Sequence, residues 1–179
     1  MKIGVIGSGT MGNGIAHSFA SSGYNVLLHD IKDEMLSKGL ETINKNLGRM
    51  LKKEIINENQ LSETLNNIST TTELNQMKDR DLIIEAVTEN LDIKNSIFAK
   101  LDNITEEQCI LASNTSSISI NELADNTKRP SKVIGMHFMN PVPLMKLVEI
   151  IKTKRTSSET LEVIKQTAIN LKKEPIECL

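Results

Sequence analysis

Five sets of residues in this chain have types and spacings that could do chemistry. His137 closes a short apolar run, Val133 to Phe138, and Glu149 follows twelve residues later across a stretch held by Pro141 and Pro143. A carboxylate that fixes one imidazole nitrogen leaves the other free to exchange a proton, a common way to poise a general base. On spacing alone, a structural histidine and a solvated glutamate fit these two positions as well. Ser116 and Asn140 fall in polar turns at the ends of apolar runs, where they could contact a bound polar group. Near the N-terminus, Gly7-Ser8-Gly9-Thr10-Met11-Gly12 is a G-x-G-x-x-G loop, and Asp30 lies eighteen positions beyond it. Glu89 and Lys94 are two further charges, for which an exposed helix surface is the competing account. Finally, Lys45, Arg49, Lys52 and Lys53 make a basic cluster that either faces phosphates or is a solvated helix face.

These residues need a scaffold, and the chain alternates short apolar runs with helical patterns, the signature of βαβ units and a parallel sheet. Lys2 to Ile6 reads as a first strand and Met11 to Ser22 as a helix with Ile15, Ala16, Phe19 and Ala20 on one face. Asn25 to His29 is a second strand. Asp33 is placed to cap a long helix striped by Leu36, Leu40, Ile43 and Leu47. Further strands are expected at 67–71, 81–87, 109–112, 133–138 and 146–151, and helices at 58–65, 91–101, 119–124 and 157–171. The expected fold is one α/β domain, a doubly wound, mostly parallel sheet of the Rossmann type over residues 1–179.

In that setting the glycine loop follows a strand and opens a helix, as a dinucleotide site requires. Gly7 permits the tight turn, Gly9 lets backbone approach a pyrophosphate, and Gly12 lets the helix pack on the sheet. The helix N-terminus supplies free N–H groups for the phosphates. Asp30, at the end of the second strand, can accept hydrogen bonds from the ribose hydroxyls of NAD and would repel the 2′-phosphate of NADP. The expected cofactor is therefore NAD, held by Gly7, Ser8, Gly9, Thr10, Met11, Gly12 and Asp30.

Composition narrows the class further. Lys plus Arg number 21 against 23 Asp plus Glu, a net charge of −2, so no overall field draws in nucleic acid or an anionic membrane. Three Phe, one Tyr and no Trp leave little for base-stacking platforms. No apolar run is long enough to span a membrane. Cys109 and Cys178 show no metal or disulfide spacing, so a reduced, cytoplasmic protein without metal is expected. His17 reads as a surface residue of the first helix, and the eight Met as scattered core filler.

From Ala112 onward the sequence resembles the 3-hydroxyacyl-CoA dehydrogenase family, most of all its short-chain bacterial members, the 3-hydroxybutyryl-CoA dehydrogenases. The resemblance rests on Ala112-Ser113-Asn114-Thr115-Ser116-Ser117, on the block His137-Phe138-Met139-Asn140-Pro141-Val142-Pro143-Leu144-Met145-Lys146-Leu147-Val148-Glu149, and upstream on the stretch from Ile84 to Lys94. It implies that His137 exchanges the proton of the 3-hydroxyl, that Glu149 orients and supports His137, and that Ser116 bonds the reacting oxygen beside the nicotinamide. It also implies that Asn140 contacts the nicotinamide side and that Glu89 and Lys94 lie near its ribose. For coenzyme A the family uses a Ser and a Lys on the long helix; Lys53 matches the Lys, and Asn46 stands where the Ser is expected. The implied substrates are short 3-hydroxyacyl-CoA thioesters, in fatty-acid or butyrate-type metabolism. A non-catalytic NAD-binding module with the same fold is the alternative, disfavoured by the intact Ser116, His137 and Glu149. The family further implies a following helical domain that closes over the acyl chain and forms a homodimer. Without it, the 179 residues are expected to bind NAD and turn over little.

Overall fold

A computed structural model describes residues 1–178. Eight strands form one sheet: β1 (Lys2–Ile6), β2 (Asn25–His29), β3 (Ile68–Thr71), β4 (Leu82–Glu85), β5 (Ile110–Ser113), β6 (Val133–Phe138), β7 (Leu147–Ile151) and β8 (Glu174–Cys178). Their order across the sheet is β3-β2-β1-β4-β5-β6-β7-β8. Every pairing is parallel except β6 with β7, which is antiparallel. The helices are α1 (Thr10–Ser21), α2 (Asp33–Lys52), α3 (Glu58–Asn66), α4 (Leu91–Ile104), α5 (Ile120–Ala124) and α6 (Ser158–Asn170).

The central strands are apolar on both faces because both faces are covered. On one side Ile15, Phe19, Leu36, Ile43, Leu47 and Ile164 pack against alternate strand residues such as Val5, Val26, Ile84 and Ile134. On the other, Phe98, Leu101, Leu123 and Met77 pack against Ile6, Ile83, Leu111 and Val133. Two apolar layers around one sheet give the doubly wound architecture expected from the alternating pattern. The strand order reverses between β1 and β4, and open sheets of this kind bind ligands there, outside the carboxyl ends of the strands. Gly7, Ala86, Asn114 and Met139 are the first residues beyond the carboxyl ends of β1, β4, β5 and β6.

Several expectations need correction. The cap of α2 is Lys32, and Asp33 is the first helical residue; with Glu34 it places negative charge at the positive end of the helix dipole rather than capping it. Lys53 lies just past the end of α2. β8 was not anticipated at all. Only Met77 and Met136 among the methionines are fully buried core residues.

His17 is 2% exposed, not a surface residue. Its helix is buried from Gly12 to Ala20, so the small residues around it mark close packing rather than a solvent face. Burial, aided by the nearby Lys173 ammonium, pushes the His17 pKa down to about 4. A neutral native imidazole takes up a proton on unfolding below pH 6.5, so stability is complete above that pH and falls as pH drops toward 4. The loss from this one group amounts to about 3 kcal/mol across that window. Replacing His17 with Leu is expected to flatten the urea-unfolding stability measured between pH 7 and pH 5. An unchanged slope in that variant would show that the imidazole is not the titrating group.

Candidate functional site

The glycine loop is set by local backbone demands. Gly7 has φ +96°, a region that L side chains rarely adopt, and its amide donates to the His29 carbonyl at 2.8 Å. A Cβ on Gly12 would lie 1.7 Å from the Gly7 carbonyl oxygen, so the first turn of α1 can sit against the loop only with glycine there. A Cβ on Gly9 would meet nothing within 4 Å. Gly9 caps α1 with no side-chain hydrogen bond to the helix amides, and the first turn carries no acid. The N-terminus of α1 thus presents free N–H groups into open space, as a diphosphate requires.

Asp30 turns out to build this loop as well as face it. Its Oδ2 accepts from the Ser8 amide and the Ser8 hydroxyl, both at 2.9 Å. Among the described residues, Oδ1 takes no hydrogen bond, which leaves an acceptor at the end of β2 for ribose hydroxyls. These features fit the adenosine and diphosphate of NAD.

Further along the sheet edge lies a cavity of about 300 Å³ whose lining includes Met11, Glu89, Lys94, Asn114, Ser116, His137, Met139 and Asn140. The structure thereby brings together the expected Ser116, His137, Asn140, Glu89 and Lys94 with the end of the glycine loop. His137 and Glu149 face one another in the antiparallel register of β6 and β7. The His137 Nδ1 lies 2.7 Å from Glu149 Oε2. With Nδ1–H donating to that carboxylate, Nε2 is left as the proton-accepting nitrogen. Twelve residues of sequence separation thus become one cross-strand pair.

A second ionic cluster supports the cavity floor. Glu85, at the end of β4, is wholly buried and accepts from Lys94 Nζ at 2.6 Å, the Val87 amide at 2.7 Å and the Ser113 hydroxyl at 2.6 Å. Lys94 is 1% exposed, which removes the solvated-helix account for it. Its Nζ also lies 3.4 Å from Glu89. Glu89 Oε1 accepts from the Thr115 and Ser117 hydroxyls and from the Ser116 and Ser117 amides. Burial would raise the Glu89 carboxyl, but the Thr115 hydroxyl, Lys94 and Ser117 outweigh it and bring the pKa down to about 2. Glu89 is therefore an ionised clamp on the turn that carries Ser116.

Glu85 and Asn114 were missed as site residues. Asn114 Oδ1 accepts the Phe138 amide at 2.8 Å, tying the end of β5 to that of β6 just beyond His137. A signal for Glu85 did exist: an acid ending the apolar run Leu82-Ile83-Ile84 must find a partner if the strand is buried on both faces. By contrast, Lys45, Arg49, Lys52 and Lys53 are exposed and Asn46 is half-buried, and none of the five lines the cavity. Arg49 is 3.4 Å from Asn46, a contact within the helix face itself.

The chain as a whole is similar to known proteins. The family model described as "3-hydroxyacyl-CoA dehydrogenase, NAD binding domain" matches residues 2–179. The chain is 49% identical over 179 residues to a probable 3-hydroxybutyryl-CoA dehydrogenase of Deinococcus radiodurans, covering 99% of this chain and 64% of that protein. It is 46% identical over 177 residues to the 3-hydroxybutyryl-CoA dehydrogenase of Clostridioides difficile, covering 99% of this chain and 63% of that one. The crystal structure of (S)-3-hydroxybutyryl-CoA dehydrogenase PaaH1 from Ralstonia eutropha superposes with TM-score 0.96 at 44% identity, over 98% of this chain and 62% of that one. The chain thus spans slightly less than two thirds of the length of these relatives.

Proposed function

The chain belongs to the 3-hydroxyacyl-CoA dehydrogenase family as its NAD-binding domain, and from that premise we propose that the full-length protein interconverts (S)-3-hydroxybutyryl-CoA and acetoacetyl-CoA. The observation that carries this reading is the His137–Glu149 pair at 2.7 Å, with His137 lining the same cavity as Ser116 and Asn140. A binding-only protein has no use for an imidazole oriented in this way.

The geometry supports this reading, with the following proposed roles. Bound along the sheet edge, NAD supplies the hydride acceptor and NADH the hydride donor. His137 takes the proton of the 3-hydroxyl on Nε2 in oxidation and returns it in reduction, and Glu149 stabilises the imidazolium formed in between. The Ser116 hydroxyl donates to the reacting oxygen, which favours the charge that develops there. The Asn140 amide orients the nicotinamide side. Glu89 and Lys94 hold the neighbouring ribose, and Asp30 holds the adenosine ribose through its free oxygen. Gly9, Thr10, Met11 and Gly12 present backbone amides to the diphosphate.

Asn46 and Lys53 are the proposed contacts to coenzyme A, in a basic face that includes Lys45, Arg49 and Lys52. A helical domain beyond this one would close over the acyl chain and form the homodimer. We propose a cytoplasmic location, where Cys109 and Cys178, both free, stay reduced. No helix among the described residues is long and apolar enough to cross a membrane. Steady-state reduction of acetoacetyl-CoA by the full-length protein tests the reading. NADH is expected to exceed NADPH in kcat/KM by about 10²-fold, because Asp30 opposes a 2′-phosphate with like charge. A preference for NADPH would overturn the role of Asp30, and no reduction with either would overturn the activity.

A further inference from the structure

The floor of the cavity has an unbalanced charge. Glu85 and Glu89 are two carboxylates around one ammonium, that of Lys94, at 2.6 Å and 3.4 Å. The Glu85 carboxylate accepts three hydrogen bonds while wholly buried, and no donor beyond these reaches that carboxylate among the described residues. A buried ion pair contributes little stability over a well-packed apolar replacement of similar volume, so its presence here calls for another reason. Lys94 and Glu89 both line the cavity, and the cluster as a whole is one charge negative. The other acid close to the cavity, Glu149 behind His137, has the same sign. An oxidised nicotinamide ring carries a formal positive charge and a reduced one carries none.

We propose that Glu85 is a positioning residue that fixes Lys94 and keeps the cluster of Glu85, Lys94 and Glu89 one charge negative, so that this site binds the oxidised cofactor more tightly than a neutral site would. The inference rests on the reading that the cavity receives the nicotinamide. Glu85 makes no contact with the cofactor itself; it acts through Lys94, and its field is weakly screened because Glu85 and Lys94 are both buried. Removing its charge leaves Lys94 balanced by Glu89 alone, and the oxidised ring then loses its compensating charge while the reduced ring loses nothing.

The test measures dissociation constants of the full-length protein for NAD+ by calorimetry and for NADH by fluorescence, without any turnover. In Glu85→Gln the ratio of the NAD+ to the NADH constant is expected to rise about ten-fold. In the double variant Glu85→Gln/Lys94→Met the net charge returns to that of the wild type, and the ratio is expected to return to within about two-fold of it. Lost ribose contacts from Lys94 weaken both forms alike and leave the ratio untouched. Equal weakening of both cofactors in Glu85→Gln overturns the proposal and makes Glu85 a structural residue only. Should that single variant fail to fold, the double variant carries the test, and a ratio displaced by more than about five-fold overturns it. If the wild type binds neither cofactor, the reading of the cavity fails along with the proposal; if it binds both and the ratio never moves, only the proposal fails.

Discussion

Replacing His137 with Ala in the full-length protein is expected to lower kcat for acetoacetyl-CoA reduction by about 10³-fold, within the range that a positioned acid–base group contributes. NADH affinity in the same variant should stay within about three-fold of the wild type. The split follows from where the residue sits. His137 is at the end of β6, held by Glu149 from the neighbouring strand, and lines the cavity beside Ser116. The diphosphate loop and Asp30 lie at the ends of β1 and β2, on other strands of the sheet. On the proposed roles, removing the imidazole takes away the proton carrier and leaves the cofactor cradle in place. Turnover within ten-fold of the wild type would show that some other group moves the proton.

The second large effect is expected at Gly12. An alanine Cβ there would sit 1.7 Å from the Gly7 carbonyl oxygen and 2.8 Å from its carbonyl carbon. Both are backbone atoms of the loop, and no side-chain rotation relieves the overlap. Either α1 moves away from the sheet or the loop opens. The Gly7 amide bond to His29 and the Ser8 bonds to Asp30 belong to the same loop and would be disturbed with it. Gly12→Ala is expected to destabilise the domain by about 2–4 kcal/mol, as an overpacked and strained core site does. NADH affinity should fall by at least about 10²-fold, because the α1 amides no longer converge on the diphosphate. Urea unfolding with parallel NADH titration measures both. An unchanged midpoint with unchanged affinity would contradict the packing described for the loop.

The features that were legible in the sequence are those that local chemistry specifies. The strand, glycine loop and helix at residues 2–21 follow from an apolar run, three spaced glycines and a helical stripe. β4, β5 and β6 were visible because strands buried on both faces must be continuously apolar. What escaped depends on contacts between distant segments. β8 is an edge strand with the sequence Glu174-Pro175-Ile176-Glu177-Cys178, exposed or half-buried throughout, which shows no apolar alternation; its place comes from parallel pairing with β7. His17 and Lys173 look like surface residues, yet both are buried, and the Lys173 ammonium donates to the Val142 and Met145 carbonyls at 2.6 and 2.7 Å.

In the site itself, residue types made His137 and Glu149 candidates and the family resemblance favoured them, and the antiparallel return from β6 to β7 brings them together as a pair. The sequence names Glu89 and Lys94 as charges, whereas their joining with Glu85 and the Ser116 turn is a product of adjacent strand ends. Asp30 was expected to face a ribose, and its hold on Ser8 adds a structural duty that spacing does not disclose.

The central claim is that the glycine-loop cradle and the His137–Glu149 pair form one site in which hydride and proton are exchanged at C3 of the acyl chain. The most direct measurement is to run acetoacetyl-CoA reduction by the full-length protein with NADH carrying deuterium at the transferable C4 position, and to locate the label by NMR. One deuterium on C3 of (S)-3-hydroxybutyryl-CoA, with none washed into solvent, is the predicted result. Product without the label at C3, or NADH that binds and is never consumed, would contradict the account.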